Sequence, residues 1–208
     1  MLFRDTKNFR ASSGNSIPDS FSKIGANFNG TTWKDRTDFL ANFPKDKLED
    51  VLAIEAERMR NALLTKNDLK LEMPAVRNEF EIIENSPHTI LEKNVWATAY
   101  QAHPYRHHTM GWLSDIENIP LQELQKFYNT FYWPNNAYLV IVGDFSEENV
   151  FSLIHKYFSK IPESPKKIPG IYTEEPIQKG PRNIEVFKTD AQPLLMRSYK
   201  IPGALHSD

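Results

Sequence analysis

The order of hydrophobic patterns along the chain predicts an α+β fold, with a mixed, mainly antiparallel sheet and helices packed on one face. Three observations carry this. Residues 26–44, ANFNGTTWKDRTDFLANFP, alternate apolar and polar positions as a strand pair does. Residues 45–64 and 146–159 bring their apolar residues round at helical spacing. Residues 137–142, AYLVIV, are a short apolar run closed by Gly143-Asp144, the pattern of a buried strand. A strand pair, then helices, then further strands argues for a sheet with helices segregated to one side.

Taken in order, residues 7–19 are polar and turn-rich and read as a loop. Pro18-Asp19-Ser20 opens a short helix to Ile24, closed by Gly25 as a left-handed cap. The strand pair follows, centred on Phe28, Thr31 and Trp33 and then Phe39, Ala41 and Phe43, joined near Lys34-Asp35 and stopped by Pro44. In the helix over 45–64, Leu48, Val51, Leu52, Met59, Ala62 and Leu63 share the inner face. Asn67-Asp68 caps the next helix, and Pro74 within it predicts that regular helix starts near Met73. Asn85-Ser86-Pro87 breaks the pattern, and a helix runs from Pro87 to Tyr100. Residues 103–120 are irregular, and their adjacent His107 and His108 lack the i, i+4 spacing of a helical metal site. Pro120 opens a helix to Phe131, and 133–136 turn the chain into AYLVIV. After the helix over 146–159, the proline-rich stretch 161–181 reads as an extended connector toward a following domain. Residues 183–188 and 194–199 read as two further strands. No internal repeat is present.

Composition narrows the function. A chain of 208 residues can bury one sizeable core. Its net charge of −2 gives no basis for nucleic acid or an anionic membrane surface as partner. The absence of cysteine excludes disulfides and thiolate metal sites. No apolar run reaches the ~20 residues of a membrane span, and the first residues are charged too soon for a signal peptide.

The stretch most suggestive of chemistry is LEMPAVRNEFEIIEN, residues 71–85. Glu72 and Glu79 lie seven apart, nearly two helical turns, which sets both carboxylates on one face about 10 Å apart. A surface helix with solvated glutamates gives the same pattern.

Several segments, in order, resemble the pitrilysin/insulinase family of zinc metallopeptidases, whose metal motif is H-x-x-E-H. These are MLFRDTKNF, IGANFNGTTWKDRTDF, LAIEAERM at Leu52–Met59, LEMPAVRNEFE, HPYRHHTMGWLSDIENI and FYNTFYWPNNAYLVIVGDF, together covering most of the chain. The resemblance implies a processing-peptidase-like half domain of the metallopeptidase/LuxS type, with residues 1–208 one partial peptidase-type domain. It implies a zinc-dependent endopeptidase, with zinc as cofactor. In the family two histidines of the motif bind zinc and the glutamate between them acts as general base. Glu79 matches the third zinc ligand, and Glu72 matches the glutamate seven residues earlier that orients the site. Phe28, Asn29, Gly30 and Thr31 match the strand edge that holds an extended peptide by main-chain pairing. Implied partners are a peptide or unfolded protein substrate and a second homologous domain or subunit. Family habit and the lack of cysteine imply an exported setting, periplasmic or otherwise.

The chain departs from that pattern. H-x-x-E-H, which would end immediately before Met1, is missing, Asp5 stands where the family has Gly, and Pro74 falls between the paired glutamates. The residues at 206–208 stop inside what resembles a continuing domain. Three expectations follow: a fragment of an active enzyme, inactive as given; a non-catalytic member serving as scaffold or substrate-binding partner of an active subunit; or a plain α+β interaction domain whose glutamates face solvent.

Overall fold

A computed structural model describes residues 1–203; the stretch 206–208 lies outside them. The chain forms two compact units. The first comprises Met1–Thr32, Arg36–Met73 and Asn118–Pro169, and the second comprises Trp33–Asp35, Pro74–Glu117 and the residues from Gly170 on.

In the first unit α1 (Ile17–Lys23) begins where the Ser16 hydroxyl accepts the Asp19 N–H, and it is closed by Gly25 at φ 70°. Strands β1 (Asn27–Thr32) and β2 (Thr37–Asn42) pair antiparallel, from Asn27 opposite Asn42 to Thr32 opposite Thr37. The one core gathers Ile17, Phe21, Ala26, Val51 and Ile54, with Phe21 stacked on Phe28 at 4.6 Å between ring centroids. Helix α2 (Leu48–Asn61) supplies Val51 and Ile54 to this core and Leu48 and Leu52 to a second. The second core is completed by Val150 of α7 (Glu147–Phe158) and flanked by Leu153, Ile154 and Phe158. Tyr128 of α6 (Leu121–Phe131) is buried and donates its hydroxyl to the Arg58 carbonyl at 3.0 Å.

The N-terminal residues are sewn to the end of α2. The Lys7 N–H bonds the Asn61 carbonyl, the Leu63 N–H bonds the Asp5 carbonyl, and Asn8 gives two hydrogen bonds to buried Glu57. Asp5, the departure noted above, accepts the Ala11 N–H at 2.9 Å, so its carboxylate fastens the following loop.

Helix α3 (Lys66–Asn85) starts earlier than the proline suggests. Thr65 and Asp68 form a reciprocal cap, the Thr65 N–H and hydroxyl both donating to the Asp68 carboxylate while the Thr65 hydroxyl accepts the Asp68 N–H. The helix continues through Pro74, and Glu72 sits inside regular helix rather than on an irregular first turn. The second unit continues with α4 (Pro87–Ala99), capped by Ser86, and the short α5 (Leu113–Asn118). No helix among the described residues is long and apolar enough to cross a membrane.

Helices packed with a small antiparallel sheet meet the fold expectation, but the sheet has two strands among the described residues. The expected strands at 137–142, 183–188 and 194–199 do not form there. An apolar run encodes burial, whereas a strand also needs a neighbour to accept its ladder bonds. Within 137–142 Ile141 packs on the second core, while Tyr138, Val140 and Val142 are exposed.

This arrangement predicts a contrast in urea unfolding. Phe21→Ala removes a fully buried ring and should cost about 3–5 kcal/mol. Val142→Thr, at a residue 90% exposed, should stay within ~0.5 kcal/mol of wild type. A Val142 cost approaching that of Phe21 would place this stretch in a buried sheet in solution.

Candidate functional site

Glu72 is three-quarters buried and ion-paired. The Arg4 Nε donates to its Oε2 at 2.6 Å. Partial burial by itself would raise the Glu72 pKa. The Arg4 hydrogen bond and the Arg4 charge oppose it, and the carboxyl lies below its ordinary value. The residue next to Arg4 reaches the strand pair: the Phe3 ring lies 5.0 Å from that of Phe28 and 5.8 Å from that of Phe39. Residues 1–4 therefore touch both β1 and Glu72, which brings the expected peptide edge and one of the paired glutamates to a single segment.

Among the described residues β1 pairs with β2 alone, so its outer edge has no strand neighbour there. Asn29, Gly30 and Thr31 are exposed on it, while Phe28 turns half-buried into the core. The Gly30 N–H is held by the Asn29 side chain at 2.8 Å, and the Thr31 hydroxyl by Asp38 at 3.0 Å.

Arg58, a residue that the sequence reading passed over, lies beside this strand pair. It is 3% exposed, with its guanidinium 3.6 Å from the Phe39 ring centroid and 5.2 Å from that of Phe3. Its Nη2 contacts Glu55, while Nε and Nη1 are buried with no acceptor among the described residues. Burial lowers its pKa to about 10. Within LAIEAERM nothing in the spacing of Arg58 marks it as buried or names its partners.

In the second unit Glu79 is exposed and makes no ion pair among the described residues. Its neighbours on α3 are engaged: Glu81 pairs with Arg77 and Glu84 with Lys93. The histidines of 103–120 serve turns, His103 Nδ1 accepting the Tyr105 N–H and His108 Nδ1 the Met110 N–H, each at 3.2 Å. His103 also packs edge-on to Tyr105 in a cluster with Tyr100 and Trp96. Among the described residues no group of three His, Cys, Asp or Glu side chains could hold a metal ion.

The fold is similar to that of solved peptidase structures. The chain is similar to a protease from Helicobacter pylori of known crystal structure, with a TM-score of 0.81 and 31% identity, covering 87% of this chain and 43% of that one. It is also 31% identical over 209 residues to the zinc protease PqqE of Helicobacter pylori, covering 99% of this chain and 46% of that protein. A probable mitochondrial-processing peptidase subunit beta of Schizosaccharomyces pombe is 23% identical over 168 residues, 81% of this chain and 36% of that protein. The insulinase family, peptidase family M16, matches residues 1–112, and the peptidase M16 inactive domain matches 118–208. The chain belongs to the insulinase family of peptidases, family M16. It spans less than half the length of these curated relatives.

The Glu72 pairing has a pH signature. Because its folded pKa is depressed, its contribution is fully present above the unfolded value of about 4.3 and is lost as pH falls through the folded value. Glu72→Gln should cost ~0.5–1 kcal/mol at pH 7, a modest figure because the Arg4 side chain is 41% exposed. The gap between variant and wild type should close on acidification below about pH 4. Urea midpoints across pH check this, and a gap independent of pH would mean that the carboxylate is not the source.

Proposed function

We propose that residues 1–208 are part of a zinc-dependent endopeptidase that hydrolyses internal bonds of a peptide or unfolded protein. In this reading Glu79 gives zinc a carboxylate ligand, and Glu72 is a positioning residue of the same centre. The two histidine ligands and the general base come from an H-x-x-E-H segment outside these residues. Asn29, Gly30 and Thr31 hold the substrate as an added strand, with Phe28 anchoring that strand to the core. The stretch 161–181 leads toward a following domain, and a second homologous domain or subunit helps to enclose the substrate. The relative named as a subunit beta supports such a partner.

The observation that carries the reading is the contrast between the carboxylates of α3. Among the described residues Glu79 is exposed without an ion pair, while Glu72, Glu81 and Glu84 are each paired. A ligand carboxylate must be free to reach a metal, whereas a residue that orients others is itself held. Strand addition suits a peptidase because main-chain hydrogen bonds give affinity whatever the substrate sequence.

The test is zinc content after dialysis against a weak chelator, in the longest natural polypeptide that carries these residues. Glu79→Gln should lose most of the zinc. Glu72→Gln should weaken binding by about 10–100-fold. Glu81→Gln and Glu84→Gln, which break surface pairs, should match wild type. Residues 1–208 alone should show no chelator-sensitive turnover of a quenched peptide library. Zinc kept by Glu79→Gln but lost from Glu81→Gln or Glu84→Gln would overturn the assignment. A natural polypeptide that binds no zinc would favour the scaffold or substrate-binding role in place of catalysis.

A further inference from the structure

The stretch from Gly170 to Gly203 contains no helix or strand. One of its side chains is nonetheless held by three backbone N–H groups and two cations. Glu175 is 14% exposed, and its oxygens accept three successive backbone N–H groups: Gln101 at 2.9 Å, Ala102 at 2.8 Å and His103 at 3.0 Å. Two cations complete the shell, with Lys200 Nζ at 3.1 Å and Arg182 Nη1 at 3.9 Å.

The receptor is itself braced. Arg182 donates to the carbonyls of Thr98 and Ala99, among the last carbonyls of α4, and to the Gln101 side chain. Lys200 lies 5.0 Å from the Tyr100 ring centroid, and Tyr100 packs on Trp96, His103 and Tyr105. The loop is thus fixed by aromatic packing on one side and by Arg182 on the other. A groove lined by Gln101, Pro176, Ile177, Lys179 and Arg182 adjoins it. Consecutive N–H groups that converge on one point form an anion-binding concavity, and charge-assisted bonds to them are the strong class.

We infer that the Gln101–His103 backbone, with Arg182 and Lys200, is a carboxylate-binding site, and that Glu175 fills it as an internal ligand that latches the otherwise irregular stretch onto the second unit. Burial alone would raise the Glu175 pKa. The Gln101, His103 and Ala102 N–H groups outweigh it and hold the carboxyl far below its ordinary range, so the latch stays charged across the physiological range. The site recognises a carboxylate by geometry and charge, and a small free carboxylate fits the same donors once the side chain is removed. This inference uses no residue of the zinc reading, and its test reads no metal or peptidase activity.

The experiment is hydrogen exchange followed by mass spectrometry on the full chain, for wild type, Glu175→Ala and Glu175→Gln, with Glu174→Ala as control. In Glu175→Ala the amides of 101–103 should exchange about tenfold faster or more, the effect expected from losing charge-assisted bonds. Tryptic cleavage at Lys179 and Lys188 should quicken with it. Glu175→Gln, which keeps the shape and loses the charge, should fall between the two, and Glu174→Ala should match wild type. Sodium acetate added to Glu175→Ala should restore protection of 101–103 saturably, while sodium chloride at equal ionic strength should not. Unchanged exchange at 101–103 in both Glu175 variants would overturn the latch. Equal rescue by chloride and acetate, or none by acetate, would overturn the carboxylate site.

Discussion

A carboxylate drawn partly out of water needs a compensating charge, and in the first unit the Glu72–Arg4 pair meets that need. The pair joins residues 68 apart in sequence, so it fixes where the N-terminal segment runs. Phe3 then falls against Phe28 and Phe39, and the ring of Phe39 carries the buried Arg58 guanidinium. Hydrogen bonds from residues 5–8 to the end of α2 hold the same segment from its other side. The strand pair, the α2 helix and Glu72 are thereby registered to one short stretch of chain. Without the pair, that stretch would keep its backbone bonds to α2 and lose its tie to α3.

Three carboxylates illustrate how environment rather than residue type assigns a role. Glu72 is held by Arg4, Glu175 by backbone N–H groups, and Glu79 is exposed without an ion pair among the described residues. The first two are positioned and stay ionised. Glutamates that look alike in LEMPAVRNEFEIIEN separate in this way once Arg77 and Lys93 are seen to engage Glu81 and Glu84.

Features set by local pattern were legible in the sequence. The spacing of Leu48, Val51 and Leu52 marked the buried face of α2, and Phe28 with Ala41 marked the inner face of the strand pair. The spacing and the resemblance single out the paired glutamates Glu72 and Glu79 as candidates. What could not be read depends on distant partners. AYLVIV has the composition of a buried strand, but composition does not name the neighbour that would receive its ladder bonds. Pro74 points to regular helix from near Met73, whereas the Thr65–Asp68 cap, whose spacing is visible in the sequence, starts α3 at Lys66. Arg4 as the partner of Glu72 and the backbone cradle of Glu175 leave no sequence trace, since a main-chain N–H is the same at every residue.

The most direct test of this account is a double-mutant cycle on Arg4 and Glu72, with urea stability measured at pH 7 for wild type, Arg4→Met, Glu72→Gln and the double variant. The account predicts a coupling of about 0.5–1 kcal/mol, with the second substitution costing little once the first is made. Strictly additive costs would contradict it, because the segment's position would then owe nothing to the pair.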